Sequence, residues 1–147
     1  MPSEVLWKSW SSRGTVLGTE LDELVDTARS EAGAVYAGDT IKQRFGKLEM
    51  QVSFASAPDA GGYVEIYAVT SLDGTNYEDG SDSVNPGTHK LIDRIPVRDA
   101  TGAQRLQGRM FPLEPGKTRF MLANHTGQDF PASGSSVVLY TTSEEGQ

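Results

Sequence analysis

Two histidines, His89 and His125, are the side chains of this chain whose type suits proton transfer or metal ligation, and each stands beside turn residues. Proton transfer or metal ligation by either one needs partners at fixed spacing. No HExxH, GxSxG, P-loop or GxGxxG pattern is present, and the serines fall in loops with no His and Asp set around them in a recognisable order. Without a base, a nucleophile and a group to orient them, bond-breaking chemistry cannot be assembled, so no catalytic residue and no cofactor is expected. The chain has no cysteine, which excludes disulfides and thiolate metal sites. Asp73, Asn76, Asp79 and Asp82 are oxygen ligands at short spacing, the type that holds Ca²⁺. They fall three apart, and no acid closes an EF-hand loop at position twelve. Gly74 for a positive φ, with Asp73 and Asn76 bonding locally, explains the same residues as a turn, and no metal site is assigned. Asn124-His125-Thr126 matches a glycosylation sequon but reads as a plain turn without a secretion signal. Tyr63, Tyr67 and Tyr77 lie on or beside one strand. They suit a platform for sugars or, alternatively, cross-strand packing.

These residues must be positioned by the stretch 47–77. Leu48, Met50, Val52 and Phe54 alternate with Lys47, Glu49, Gln51 and Ser53, and a period of two places the four apolar groups on one face of a strand. A second run places Val64, Ile66, Ala68 and Thr70 opposite Tyr63, Glu65, Tyr67 and Val69. Between them, Pro58 lacks a ladder donor and Gly61-Gly62 favours a turn, which predicts a β-hairpin. Further strands are expected over 90–97, lying at a sheet edge or ending at Pro96, then over 105–111, 118–123 and 136–142. Residues 78–88 have no periodicity and read as an exposed loop. Residues 19–30 place Leu21, Leu24, Val25 and Ala28 at helical spacing behind a capping Thr19, which predicts a helix, while Asp26-Thr27 also suits a turn between two short strands. Residues 1–18 read as an N-terminal strand or a docking arm, because large apolar groups including Trp7 and Trp10 fall on both of its faces. Residues 143–147 read as a flexible acidic tail. The count of seven or eight strands without βαβ alternation predicts an all-β chain, an antiparallel β-sandwich or barrel in one domain over 19–142.

At 147 residues the chain can bury roughly 70% of its unfolded surface in a single core. Sixteen glycines and seven prolines, scattered between short apolar runs, suit many strands and turns. A net charge of −7 argues against nucleic-acid partners and against adsorption on anionic membranes. No apolar run approaches the roughly 20 residues of a membrane span. The first ten residues lack the basic region and apolar run of a secretory signal, so synthesis and folding in the cytosol are expected.

The residues Ser71-Leu72-Asp73-Gly74-Thr75-Asn76-Tyr77, preceded by the alternating strands and the Ala57-Pro58 to Gly61-Gly62 turn, resemble a family of small virion proteins of tailed bacteriophages. The likeness continues in Arg119-Phe120-Met121-Leu122-Ala123-Asn124, in His125-Thr126-Gly127-Gln128 and in Ala132-Ser133-Gly134, and spans residues 19–142. It implies a jelly-roll-like sandwich of about eight strands that decorates or cements the outer capsid shell. The implied partners are the major capsid protein and copies of the chain itself, and the implied location is the virion surface after synthesis in the host cytoplasm. No catalytic residues come with the family. It also implies strand-turn-strand over 19–30, with Asp26-Thr27 standing where related chains often have a glycine turn. Large aromatics are the usual anchors of interfaces, so Leu6, Trp7 and Trp10, with Tyr77, Asn85 and His89 of the 77–89 loop, are the expected contact residues. A tail or baseplate component and a carbohydrate-binding module are the rival expectations.

Overall fold

The computed structural model describes residues 5–146, and all strand pairing in it is antiparallel. The strands in chain order are β1 (Val5–Trp7), β2 (Ser11–Leu17), β3 (Tyr36–Ala37), β4 (Phe45–Phe54), β5 (Tyr63–Ser71), β6 (Leu91–Pro96), β7 (Gly102–Gln107), β8 (Phe111–Pro112), β9 (Lys117–His125), β10 (Ser136–Thr142) and β11 (Glu144–Gly146). One sheet runs β2-β10-β4-β7, with β8 also on β4, and the facing sheet runs β3-β9-β5-β6. If β2 to β7, β9 and β10 are counted first to eighth, the orders are 1-8-3-6 and 2-7-4-5. First pairs with eighth, second with seventh, third with sixth and fourth with fifth. A long antiparallel ribbon wound into two sheets gives this order, which is a jelly roll.

The core is what the alternation in the strands demands. Leu48, Met50, Val52 and Phe54 of β4 and Val137 and Leu139 of β10 point inward from one sheet. Val64 and Ile66 of β5 and Phe120 and Leu122 of β9 meet them from the other, and Phe54 and Phe111 pack edge-on against Phe130 and Phe120.

Topology overturns the hairpin. β4 and β5 do not pair; they lie in opposite sheets, and residues 55–62 cross between them. The two apolar faces do meet one core, but from its two sides. The crossing is fixed at its far end: Asp59 N–H donates to Thr126 O, Gly62 N–H to Asp59 O, and Val97 N–H to Gly62 O. A Cβ on Gly62 would stand 2.8 Å from Thr126 O, so the close approach requires glycine there.

Residues 19–30 are neither the helix nor the strand-turn-strand expected. Only a 3₁₀ turn, Thr19–Leu21, is helical. The rest lies along the edge of β9 that β3 is too short to cover. Thr27, Ser30 and Gly33 donate to Asn124 O, Leu122 O and Phe120 O, and Asn124 N–H donates to Ala28 O. An uncovered edge would orphan these groups, and satisfying them outweighs one short helix. Leu21 and Leu24 are buried as the spacing suggested, but Val25 is exposed. Glu23 and Thr27 take φ of 54° and 68°, so Thr27 carries the left-handed turn for which related chains often use glycine.

Three smaller expectations also change. Residues 11–17 belong to the sandwich as β2, so no boundary falls at residue 18, and Val16 and Leu17 are core residues. Glu144–Gly146 is not a loose tail but pairs with Val5–Trp7. The strand expected over 105–111 is β7 and β8 with a break between them. At the break Arg109 N–H donates to the buried Asp93 carboxylate, and a Cβ on Gly108 would stand 2.2 Å from it. Met110 there is exposed.

Candidate interaction surface

The β1–β11 ribbon belongs to neither layer of the sandwich. It continues β2 and β10 beyond the sheet, held at its base by Lys8 N–H donating to Ser143 O and Thr142 Oγ1 donating to Lys8 O. Leu6 and Trp7 on this ribbon are 44% and 57% exposed. Trp7 packs on Phe45 with ring centroids 5.4 Å apart, and the Arg44 guanidinium stands 5.5 Å from the same Phe45 ring while pairing with Glu144 at 3.3 Å. Phe45 is the first residue of β4, and its parity with Lys47, Glu49 and Gln51 puts it on the outer face of the sheet. A cleft of about 450 Å³ adjoins it, walled by Lys42, Arg44, Pro112, Leu113 and Pro115.

Trp10, 42% exposed, leans over the same outer face further along. With Lys47, Glu49, Gln107 and Tyr140 it lines an open groove of about 200 Å³. The register explains why these residues meet: Tyr140 of β10 lies opposite Lys47 of β4, and Glu49 lies opposite Gln107 of β7. Trp7 and Trp10 therefore do not close the core as a first strand. They form an aromatic strip with Phe45 and Tyr140 along one outer face. The sequence reading missed Phe45 and Tyr140. Phe45 had the signal, since it shares the parity of the polar residues of β4.

The remaining expected contact residues lie elsewhere. Residues 72–90 fold over the outer face of the other sheet, where Pro86 is buried and Gly80 sits against Val69 and Met121. Arg29 holds this loop by donating to Ser81 O, Asp82 O and the Asn85 side-chain oxygen. Lys90 pairs with Glu78 at 2.7 Å, and Glu78 accepts from Thr70. Tyr77 is half-buried with the Arg119 guanidinium 5.6 Å from its ring, and Asn85 is exposed. His89 lines a small cleft between the sheets with Phe111 and Leu113. The six expected residues thus divide into two surfaces, with Leu6, Trp7 and Trp10 on one and the loop on the other.

The tyrosine platform is not free. Tyr63 has His125 stacked 5.2 Å away and the Arg94 guanidinium 4.9 Å from its ring, and Tyr67 donates to Glu65. Burial, and then that contact with Glu65, push the Tyr67 phenol above its ordinary value. His125 Nε2 lies 3.2 Å from the same buried Glu65 carboxylate, which Arg94 also approaches. Asp73 is taken up by its own turn, accepting from the N–H groups of Thr75 and Asn76, the Asn76 amide and the Ser71 hydroxyl. These bonds hold its carboxyl well below the usual range. Among the described residues no group of three or more His, Cys, Asp or Glu is placed to hold a metal ion, and no helix is long and apolar enough to cross a membrane. Asn124 of the sequon is fully buried, with its side-chain amide donating to Leu24 O and Gln128 O.

No protein-family model matches this sequence, and no curated protein does. Among solved structures the chain is similar to dimeric latent PorU from Porphyromonas gingivalis, at a TM-score of 0.40 and 12% identity. That match takes in 97% of this chain but spans only 13% of the length of the other.

Proposed function

We propose that this chain is a structural subunit of a tailed-phage particle, a decoration or cement protein that binds the outer capsid shell and braces contacts between major capsid protein subunits. The observation that carries this reading is the β1–β11 ribbon, which stands outside both sheets with Leu6 and Trp7 exposed beside Phe45. A two-stranded ribbon is marginally stable alone and leaves unpaired backbone along its edges. Exposed aromatics beside such an edge are what an interface core uses as anchors. The resemblance of residues 19–142 to virion proteins supplies the kind of assembly. Adhesion through many identical contacts around a shell needs little affinity per subunit, because the contacts act together. No bond-breaking step is assigned to the chain.

The test uses purified particles and shells stripped of the protein. The intact chain is expected to co-sediment with shells and to be located on the capsid surface by labelled electron microscopy. The double substitution Leu6→Ala, Trp7→Ala is expected to weaken attachment by about 100-fold, as two interface anchors would. It should leave the melting temperature nearly unchanged, since the Trp7–Phe45 pair is worth only about 1 kcal/mol. Label on the tail or baseplate, or unchanged attachment of the double variant, would overturn the proposal.

A further inference from the structure

We propose that the outer face of the β2-β10-β4-β7 sheet is a carbohydrate-binding groove, with Trp10 as its stacking wall. The inference goes beyond shell attachment and rests on a different set of side chains. Trp10 and Tyr140 present aromatic surface to an open groove whose other walls are Lys47, Glu49 and Gln107. A second depression of about 270 Å³ continues it along β4 and β7, past Gln51, Ser53 and Arg105. From Lys47 to Ser53 the strand advances roughly 20 Å, the reach of a short oligosaccharide.

The chemistry of the lining selects the ligand class. A pyranose ring has one face of C–H groups that stacks on an indole or phenol, and a rim of hydroxyls that are each donor and acceptor. Against the aromatic wall the groove sets a carboxylate, two amides, an ammonium and a guanidinium, together supplying donors and acceptors for such hydroxyls. Glu49 is held by two residues of β7: Gln107 Nε2 donates to its Oε2 at 3.3 Å, and Arg105 Nε lies 3.8 Å from its Oε1. A fixed carboxylate loses little freedom when a ligand binds, which favours affinity.

Other ligand classes fit less well. The floor of the groove lies over β4, whose backbone is already paired with β10 and β7, so a peptide lying in it meets no open edge. An amphipathic helix needs a continuous apolar groove, and here the charged and amide groups of Lys47, Glu49 and Gln107 interrupt the apolar surface that Trp10 and Tyr140 supply. A nucleic-acid strand needs a track of basic groups, and here Glu49 offsets one of the two cations in a chain of net charge −7.

The test is a glycan array of neutral, N-acetylated and acidic oligosaccharides probed with the labelled full chain. The strongest oligosaccharide is then titrated against Trp7→Phe, in which Trp10 is the single tryptophan and its emission reports the groove directly. Saturable binding with a shift of that emission is expected. Trp10→Ala should lose at least tenfold in affinity, and Gln107→Ala, an exposed position where folding is not at stake, several-fold. Tyr63→Ala and the Leu6, Trp7 double variant should bind as the wild type does. An array without signal, or binding that Trp10→Ala and Gln107→Ala leave intact, would refute the groove. So would binding lost in Tyr63→Ala while Trp10→Ala retains it.

Discussion

Asn124 is the polar residue on which the joint between β9 and residues 19–30 depends, and its removal has a cost that can be worked out bond by bond. The side chain is fully buried and makes four hydrogen bonds: Nδ2 to Leu24 O at 3.0 Å and to Gln128 O at 2.8 Å, and Oδ1 from Thr126 N–H at 3.0 Å and from Thr126 Oγ1 at 2.7 Å. In Asn124→Ala the two carbonyls keep other donors, since Phe130 N–H reaches Leu24 O and Thr126 Oγ1 reaches Gln128 O. The Thr126 hydroxyl keeps Gln128 in both directions. The Thr126 N–H alone is left buried and unpaired, which costs about 1–3 kcal/mol. The void left by the amide adds roughly 1 kcal/mol, giving a total on the order of 2–4 kcal/mol. For a domain of this size that lowers the melting temperature by about 6–12 °C. Asn124→Asp separates hydrogen bonding from packing, because it keeps the shape and the accepting oxygen but turns the amide nitrogen, with its two donors, into one oxygen facing two carbonyl oxygens. The ionised form is disfavoured there, so the folded pKa lies above the unfolded value of about 3.9. A raised folded pKa means that stability is retained below the unfolded value and lost as pH climbs towards the folded one. Urea unfolding at pH 4 and pH 7 should therefore show Asn124→Asp close to wild type in acid and well below it at neutrality. A loss under about 0.5 kcal/mol for Asn124→Ala, or a deficit in Asn124→Asp that ignores pH, would refute this account of the joint.

Two further outcomes follow from the loop that covers the other sheet. The Asp73 carboxyl is depressed mainly by the backbone N–H groups of Asn76 and Thr75, so its stabilisation is present above about pH 4 and lost as pH falls towards the folded value. The gap in urea midpoint between wild type and Asp73→Ala should accordingly shrink from pH 6 to pH 2, and a constant gap would count against the turn as a stabilising element. Arg29→Ala removes the three bonds that tie residues 81–85 to the 19–30 segment, so amide exchange at Ser81 and Val84 should quicken at least tenfold while global stability falls by less than about 2 kcal/mol. Unchanged exchange would mean that Pro86 and Val69 hold the loop without the guanidinium.

What could be read from the sequence was local: the faces of β4 and β5, the burial of Phe120 and Leu122, and the bounds of β10, because side-chain alternation depends on a few neighbouring residues. Pairing was not legible. A strand with one apolar face needs a core on that side, and a hairpin partner or a partner across the sandwich satisfies this equally; only residues distant in the chain decide. Residues 19–30 misled for the same reason. Leu21, Leu24 and Ala28 do face inward at helical spacing, yet the backbone follows the open edge of β9, whose needs no local pattern records. Thr27 at φ 68° is legible only once Asp26 is seen to accept from Gly127 N–H and to donate its own N–H to Asp129. In the surface, Trp7 and Trp10 stand out as large groups without a shared face, while Phe45 lies just ahead of Lys47, where the alternating pattern is plain.

The place of the ribbon follows from the order of the strands. Because the jelly roll pairs the first strand with the eighth, the segments before β2 and after β10 leave the sandwich side by side and running in opposite directions. They can go on pairing as β1 and β11 with no further folding instruction, but among the described residues there is no third strand and no facing layer to bury what they carry. An apolar residue placed there is buried only in part by its own fold: Leu6 and Trp7 remain near half exposed, and Trp7 packs on the rim residue Phe45. Polar residues at these positions would give up little, about 1 kcal/mol for the Trp7–Phe45 pair, and would improve solubility. On the proposed reading, the exposed part of Trp7 is the surface available to a partner, and the same holds for Trp10 over the polar face of β4. Stability measurements on Leu6, Trp7 and Trp10 variants should be nearly silent, while measurements of attachment, to shells for the first two and to glycans for the third, should not.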